Sequence, residues 1–134
     1  MHLAIDWGQK RIGMALGSVL PKGAGVIDAD KPEKEILAQI KNICDQNEVG
    51  HIIIGLPYRS QGEEGTLSPK IKEFGRKLKD YTGLEVDFEP EEFTTSEAEY
   101  RLLGAGLKYD RKSGKVDEMA AEILLEQYIE RHSK

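Results

Sequence analysis

Apolar and polar residues alternate over the first thirty positions in the pattern of short β-strands. Residues 3–5 form an apolar segment that Asp6 interrupts, residues 12–16 alternate large and small apolar side chains, and residues 23–27 form a weaker third segment. Short connections separate the segments, and the first of them contains glycine, lysine and arginine. Three strands joined in this way favour an antiparallel meander.

From residue 31 onward the apolar residues recur at helical spacing. A first helix is predicted here, with Pro32 near its first turn, where a missing N–H costs nothing. Residues 51–55 then form a continuous apolar run, which is typical of a central strand covered on both faces. The remaining elements are predicted to be a helix over about residues 68–81, a strand over residues 85–89 that Pro90 ends, a helix from Thr94 onward and a last helix over about residues 116–131.

Three strands followed by alternating helices and strands predict one mixed β-sheet with helices on its faces, an α/β fold. No repeat or linker divides the 134 residues, so we expect a single domain over residues 1–134. No apolar run approaches the ~20 residues that cross a bilayer, and no basic stretch precedes an apolar one at the N-terminus. We therefore expect a cytoplasmic protein that does not associate with a membrane.

Charge and cysteine content narrow the possible functions only slightly. The formal net charge of -5 argues against a nonspecific coat for nucleic acid, which is normally basic. It does not exclude an enzyme that meets phosphates through divalent cations and a few local basic residues. The one cysteine, Cys44, lies in a helical apolar pattern and is expected to be a small buried side chain. The histidines, His2, His51 and His132, are scattered along the chain and are expected to have structural or solvated roles.

The informative feature of the sequence is the placement of three acids. Asp6 interrupts the first strand, and Glu91 lies just past the predicted end of the last strand. Asp117 opens the last helix on the face that it shares with the apolar residues Ala120, Ala121, Leu124, Leu125 and Tyr128. Because that face should pack on the sheet, Asp117 is expected to point toward the interior at one end of the helix.

A carboxylate that faces an apolar environment is costly unless it is paired or bound to a cation. Three converging carboxylates suit hard, oxygen-seeking metals such as Mg²⁺ or Mn²⁺. Two such ions can activate a water and stabilise the leaving oxygen in phosphodiester hydrolysis. The alternative is that Glu91 is a solvated loop residue and Asp117 an acid favoured by the helix dipole.

Four stretches in order resemble the motifs of a known family, and together they span essentially the whole chain. They read IDWGQKRIGMA at residues 5–15, IGLP at residues 54–57 with Gly62 and Gly65 after it, FTTSEA at residues 93–98 and VDEMAA at residues 116–121. The family is the YqgF family, also called RuvX or Holliday junction resolvase-like proteins. No one of these motifs is specific alone.

The resemblance implies a ribonuclease H-like fold with a five-stranded mixed sheet and helices on both faces. It also implies a metal-dependent nuclease that matures the 5′ end of pre-16S ribosomal RNA, or one that resolves branched DNA such as a Holliday junction. By position, the resemblance implies that Asp6, Glu91 and Asp117 are catalytic acids, and we expect them to hold Mg²⁺ or Mn²⁺. Neither the residues nor the resemblance decides between a monomer and a homodimer.

Basic residues near these acids are candidate nucleic-acid contacts. Lys10 and Arg11 match the family's basic pair after the first strand, where they would position a phosphate or else form a solvated hairpin. Four further cations lie in the loop after the central strand or just before Asp117, and each would contact RNA backbone or remain a solvated loop residue: Arg59, Arg111, Lys112 and Lys115. Trp7 should point to the opposite side of its strand from Asp6, which favours core packing over base stacking.

The sequence departs from the family pattern before the paired threonines. The family usually has Asp-Glu-Arg and one apolar residue there, whereas this chain has Pro90, Glu91, Glu92 and Phe93. Replacing a cation by Glu92 changes the local charge by two units, which should weaken phosphate binding unless Glu92 is an additional ligand. This departure favours a second reading, an RNA-binding or ribosome-assembly module without catalysis.

A third reading is an actin-like or sugar-kinase-type ATPase. It starts from Asp6, Trp7, Gly8 and Gly13, which resemble the phosphate-binding turn of that group. Those proteins bind nucleotide between two domains, and 134 residues supply one. A nuclease therefore remains the first expectation.

Overall fold

A computed structural model describes residues 1–57, 68–91, 94–104 and 114–132. Within these residues the strands and helices follow one another in the order β1 His2–Trp7, β2 Arg11–Gly17, β3 Lys22–Asp28, α1 Glu33–Gln46, β4 His51–Pro57, α2 Ser68–Thr82, β5 Glu85–Glu91, α3 Thr94–Gly104 and α4 Lys115–His132. Apart from the end of β5, these elements agree with the predicted ones to within a few residues.

The five strands form one mixed sheet in the order β3-β2-β1-β4-β5. β1, β2 and β3 pair antiparallel, as the predicted meander requires. β4 then pairs parallel to β1, and β5 pairs parallel to β4. The predicted five-stranded mixed sheet is therefore confirmed, with β1 and the apolar run of β4 at its centre.

Alternation along the central strands divides the core between the two faces of the sheet. On one face, Leu3 and Ile5 pack with buried residues of β4, α1 and α2. On the other face, Ala4 and Ile53 pack with buried residues of α4. α3 covers the outer side of α4, where Ala98 and its neighbours form a third cluster. Helices thus cover both faces, as predicted, and α4 is buried between the sheet and α3.

Two smaller predictions, for Trp7 and Cys44, are also settled by the packing. Trp7 is partly buried against the core of the α1 and α2 face, with its ring centroid 6.2 Å from that of Phe74, so the predicted core packing is confirmed. Cys44 is buried, and burial raises the pKa of its thiol to about 11. In the described part of the chain, no helix has the length and apolarity that crossing a membrane would need.

The predicted end of β5 at Pro90 is wrong. β5 continues to Glu91, with Pro90 in register with Leu56 and Glu91 in register with Pro57. β5 is an edge strand, and an edge strand tolerates proline because an N–H that points away from the sheet has no ladder partner to lose. Glu91 is therefore the last residue of a strand rather than a loop residue, and alternation places it on the face that α4 covers.

Small residues let α4 come very close to the sheet. A Cβ atom on Gly13 would lie 2.1 Å from the backbone oxygen of Asp117, so the first turn of α4 packs directly on the backbone of β2. Ala4, Ala15 and Ala121 are fully buried along the same contact. The predicted close approach of the last helix to the strands is confirmed, and it fixes the position of the helix end that carries Asp117.

Candidate functional site

The three predicted acids meet at one end of the sheet. Asp6 lies on the α4 face of β1, in register with Gly13 of β2. Asp117 belongs to the turn of α4 that contacts Gly13. Glu91 reaches this place from β5, two strands away, across β4. Gly55 of β4 makes the reach possible, since a Cβ atom there would lie 2.9 Å from an oxygen of Glu91.

The carboxyl group of Asp6 is the most perturbed group of the site. Burial raises its pKa well above the ordinary carboxyl value, and repulsion from Glu91, a hydrogen bond with Glu91 and repulsion from Asp117 raise it further. A hydrogen bond between two carboxyl groups needs a proton on one of them, so Asp6 and Glu91 share one proton. The site therefore concentrates negative charge, and the shared proton relieves part of the repulsion.

Asp117 has a cationic partner. Its Oδ2 accepts a hydrogen bond of 2.8 Å from Nε of Arg11, and both side chains are 26% exposed. The predicted proximity of the basic pair to the acids therefore holds for Arg11. Lys10 is exposed, and both residues line an open cavity of about 560 Å³ beside the site. Asp28 and Asp30 line the same cavity, so its rim is of mixed charge rather than basic.

The other predicted basic contacts are only partly described. Lys115 is exposed at the start of α4, two residues before Asp117. The structure does not describe four of the residues on which predictions were made: Arg59, Arg111, Lys112 and Glu92. The other departure, Pro90, lies within β5 and leaves Glu91 in place beside Asp6.

The donor set fits a hard divalent cation by its chemistry. Asp6, Glu91 and Asp117 offer oxygen atoms alone, which suits Mg²⁺ and Mn²⁺. Within the ranges that the structure covers, however, no three His, Cys, Asp or Glu side chains are already arranged to hold a metal ion. The pairings explain why, since Asp6 and Glu91 bond to each other and Asp117 bonds to Arg11.

Two further glutamates of α4, which the sequence analysis missed, fix the helix against the edge strand β3. Glu118 accepts a hydrogen bond from the backbone N–H of Gly25, and Glu122 accepts one from that of Gly23. Burial raises the pKa of Glu122. The i,i+4 spacing of the two glutamates and the glycines of β3 were a usable signal. Because Glu118 directly follows Asp117 in the first turn of α4, these bonds also help to fix the position of Asp117.

A third missed glutamate, Glu89, anchors the other end of α4. Glu89 is 5% exposed on β5, and its Oε2 accepts a 2.8 Å hydrogen bond from Arg131 near the end of the helix. A buried carboxylate of this kind needs a paired cation. No local pattern predicts this pair, because the two residues are 42 positions apart.

The three histidines, which are scattered along the chain, lie near one another at the opposite end of the sheet from the acids. His2 and His51 are 3.0 Å apart between their Nδ1 atoms. The rings of both lie against Tyr128, and His132 stacks on the same tyrosine. No sequence spacing predicts this group, because β-strand register joins His2 to His51.

The fold and the placement of the acids define the class of protein. The solved structure of Thermus thermophilus RuvC in complex with a Holliday junction substrate superposes with a TM-score of 0.58 at 15% identity, covering 98% of this chain and 95% of that one. This similarity confirms the ribonuclease H-like fold. The profile of the RuvX family, described as "Holliday junction resolvase", matches residues 1–131. The chain belongs to the RuvX family, which is a family of nucleases.

Curated relatives match over nearly their whole length. A protein of Dictyoglomus turgidum is 34% identical over an alignment of 132 residues that covers 96% of this chain and 92% of the relative. A protein of Carboxydothermus hydrogenoformans is 33% identical over an alignment of 135 residues that covers 98% of this chain and 97% of the relative. Both carry the name "Putative pre-16S rRNA nuclease".

Proposed function

We propose that this protein is a metal-dependent nuclease of the cytoplasm that processes the 5′ end of pre-16S ribosomal RNA. Asp6, Glu91 and Asp117 are its metal-holding catalytic acids. The observation that carries the proposal is the meeting of three carboxyl groups at the end of the sheet, where Glu91 and Asp117 lie beside the half-buried Asp6. Three carboxyl groups this close together repel one another, and a cation bound between them would offset that repulsion.

The residues of the site suit this chemistry. A bound Mg²⁺ or Mn²⁺ would supply activation of a water and stabilisation of the leaving oxygen. Asp6, Glu91 and Asp117 would hold that ion through their carboxylate oxygens. Arg11, beside Asp117 and at the rim of the open cavity, is placed to contact a phosphate oxygen of the substrate. Lys10 lines the same cavity and would add a second phosphate contact.

RNA is the favoured substrate because the curated relatives are named for it. Branched DNA is the second candidate, since the RuvX family is described as a Holliday junction resolvase. The catalytically silent RNA-binding module is less well supported. Pro90, one of the two departures that favoured it, leaves Glu91 on β5 with its carboxyl group bonded to Asp6.

Cleavage of a labelled RNA that spans the 5′ end of the 16S precursor tests the proposal. Wild type is compared with Asp6→Asn and Asp117→Asn in Mn²⁺, Mg²⁺ or EDTA, with a four-way DNA junction as parallel substrate. Asp45→Asn, which changes an exposed acid of α1 far from the site, is the matched control. We expect metal-dependent cutting of the RNA by wild type and control, and none by the two site variants.

Two outcomes would overturn parts of the proposal. Cutting of the junction in preference to the RNA would replace the substrate while leaving the three-acid site in place. RNA binding without metal-dependent cutting, equal in wild type and both site variants, would make the protein a silent binding module.

A further inference from the structure

A pair of histidines faces each other across the centre of the sheet, far from the three acids. His2 opens β1, His51 opens β4, and the two are in register on these neighbouring parallel strands. Their Nδ1 atoms are 3.0 Å apart and their ring centroids 5.1 Å apart. Asp6 lies four residues further along β1, which is about 13 Å at the rise of an extended strand. The pair is therefore separate from the acid site.

A carboxylate fixes the orientation of one ring. Oδ2 of Asp87 lies 2.6 Å from Nε2 of His51. Because a carboxylate only accepts, Nε2 of His51 carries a hydrogen, and the Nδ1 atom of the neutral ring keeps its lone pair. Histidines that bind metals in proteins are commonly held in this way by a carboxylate on the other ring nitrogen.

The second ring is placed to present a lone pair toward the same point. Nδ1 of His2 faces Nδ1 of His51, and it donates to His51 in one tautomer and offers a lone pair in the other. Burial, followed by the proximity of His51, lowers the pKa of His2, so the ring is neutral near pH 7. Neutral imidazole is the form that binds metal ions.

The spacing of the two nitrogens is close to that of two ligands of one ion. Zinc binds imidazole nitrogen at about 2.0–2.1 Å in tetrahedral geometry, which separates two such nitrogens by about 3.3 Å. The observed 3.0 Å differs from this by only a few tenths of an ångström, and a small rotation of either ring supplies the difference. Imidazole nitrogens favour Zn²⁺, Ni²⁺ and Cu²⁺ over Mg²⁺ or Mn²⁺.

We propose that His2 and His51 form a binding site for a zinc-class divalent ion, with Asp87 as the positioning residue of His51. Among the described residues no third His, Cys, Asp or Glu completes the group, so water or an external ligand fills the remaining positions. An open cavity of about 380 Å³ adjoins His2 and gives access from solvent; Ser18, Tyr128 and His132 also line it. The site does not depend on the proposed nuclease activity.

Calorimetric titration of the full chain with Zn²⁺ tests the proposal, with excess Mg²⁺ present to occupy oxygen sites. We expect one Zn²⁺ per wild-type chain and at least tenfold weaker binding in both His2→Gln and His51→Gln. Asp87→Asn should weaken binding by about tenfold, the usual effect of losing such a carboxylate. Asp45→Asn, at an exposed acid of α1, is the matched control and should bind as wild type does, as should the triple variant Asp6→Asn, Glu91→Gln and Asp117→Asn.

A second measurement on the unaltered protein guards against variants that fail to fold. Long-range proton–nitrogen NMR of the imidazoles should show the Nδ1 signals of two histidines moving on addition of Zn²⁺, with the third unchanged. The proposal is overturned if wild type binds no Zn²⁺, if binding is lost only in the triple acid variant, or if all three imidazoles respond equally. In each of these cases the contact between His2 and His51 is a structural hydrogen bond alone.

Discussion

The carboxyl groups of Asp6 and Glu91 are hydrogen-bonded although their strands are not neighbours. β4 runs between β1 and β5, and Gly55 is the residue of β4 over which Glu91 reaches. Asp117 approaches from α4, which rests on Gly13 of β2. Gly13 and Gly55 lie on the two strands that flank β1, and their lack of a side chain leaves the space in which the three acids meet.

Replacing Gly55 by alanine tests this arrangement. The new Cβ would lie 2.9 Å from Oε2 of Glu91 and 3.1 Å from Cδ2 of Leu124, so the carboxyl group must move away from Asp6. We expect cleavage to fall by about 10²-fold, the loss that a misplacement of 1 Å commonly produces. Gly50→Ala is the matched control, because a Cβ there meets nothing within 4 Å. Equal activity of the two variants would show that the reach of Glu91 over Gly55 is unimportant.

Gly13→Ala should act on stability as well as on activity. The added Cβ would lie 2.1 Å from a backbone oxygen of α4, and backbone yields less readily than a side chain. Overpacking of this kind destabilises by about 1–3 kcal/mol, and the displaced helix carries Asp117 with it. Urea unfolding of Gly13→Ala measures the effect. Gly104→Ala is the control, because a Cβ there would meet nothing within 4 Å. Identical midpoints would mean that α4 can shift freely on β2.

The raised pKa of Asp6 predicts a pH dependence of stability in the presence of a chelator. An acid whose pKa is higher in the folded state stabilises the fold below its unfolded pKa of about 3.9, and this contribution is lost as pH rises through the folded value. Asp6→Asn has no such titration. The unfolding free energy of Asp6→Asn relative to wild type should therefore increase steadily with pH. Urea unfolding between pH 4 and 8 measures it, and parallel curves would contradict the raised pKa.

Arg11→Gln should separate substrate binding from stability. The ion pair with Asp117 is partly exposed and contributes about 0–1 kcal/mol, so the free energy of unfolding should change little. Losing one phosphate contact should raise KM for RNA and reduce the salt slope of binding by about 1. Arg76→Gln, which removes an exposed cation of α2 paired with Glu73 and Asp80, should change neither quantity. An unchanged salt slope in Arg11→Gln would remove Arg11 from the proposed interface.

Periodicity was enough to predict an α/β fold with one mixed sheet, and the family resemblance implied its ribonuclease H-like form. The three-strand meander, the central run of β4 and the last helix each have a clear repeat, so the order of elements and the mixed sheet followed. The positions of Asp6, Glu91 and Asp117 at or near the ends of their elements left their convergence open, and the family resemblance is what implied it. Pro90 was misread because a local pattern does not say that β5 is an edge strand, where proline is tolerated.

Contacts between distant residues were beyond prediction. His2 meets His51 through the parallel register of β1 and β4, and Glu89 meets Arg131 through the docking of α4 on β5. Each contact depends on how elements are placed in space, and a single sequence does not record that placement. The glutamate bonds to Gly23 and Gly25 are of the same kind, although their i,i+4 spacing on α4 was visible.

The most direct test of the central claim is a titration with Mn²⁺ in the absence of nucleic acid, followed by electron paramagnetic resonance of the free ion. Wild type is compared with Asp6→Asn, Glu91→Gln and Asp117→Asn, and Asp45→Asn is the control. The account predicts that wild type and control bind Mn²⁺ and that each of the three site variants binds it at least tenfold more weakly. Equal binding by all five proteins, or no binding by wild type, would contradict the claim that these three acids hold a metal ion.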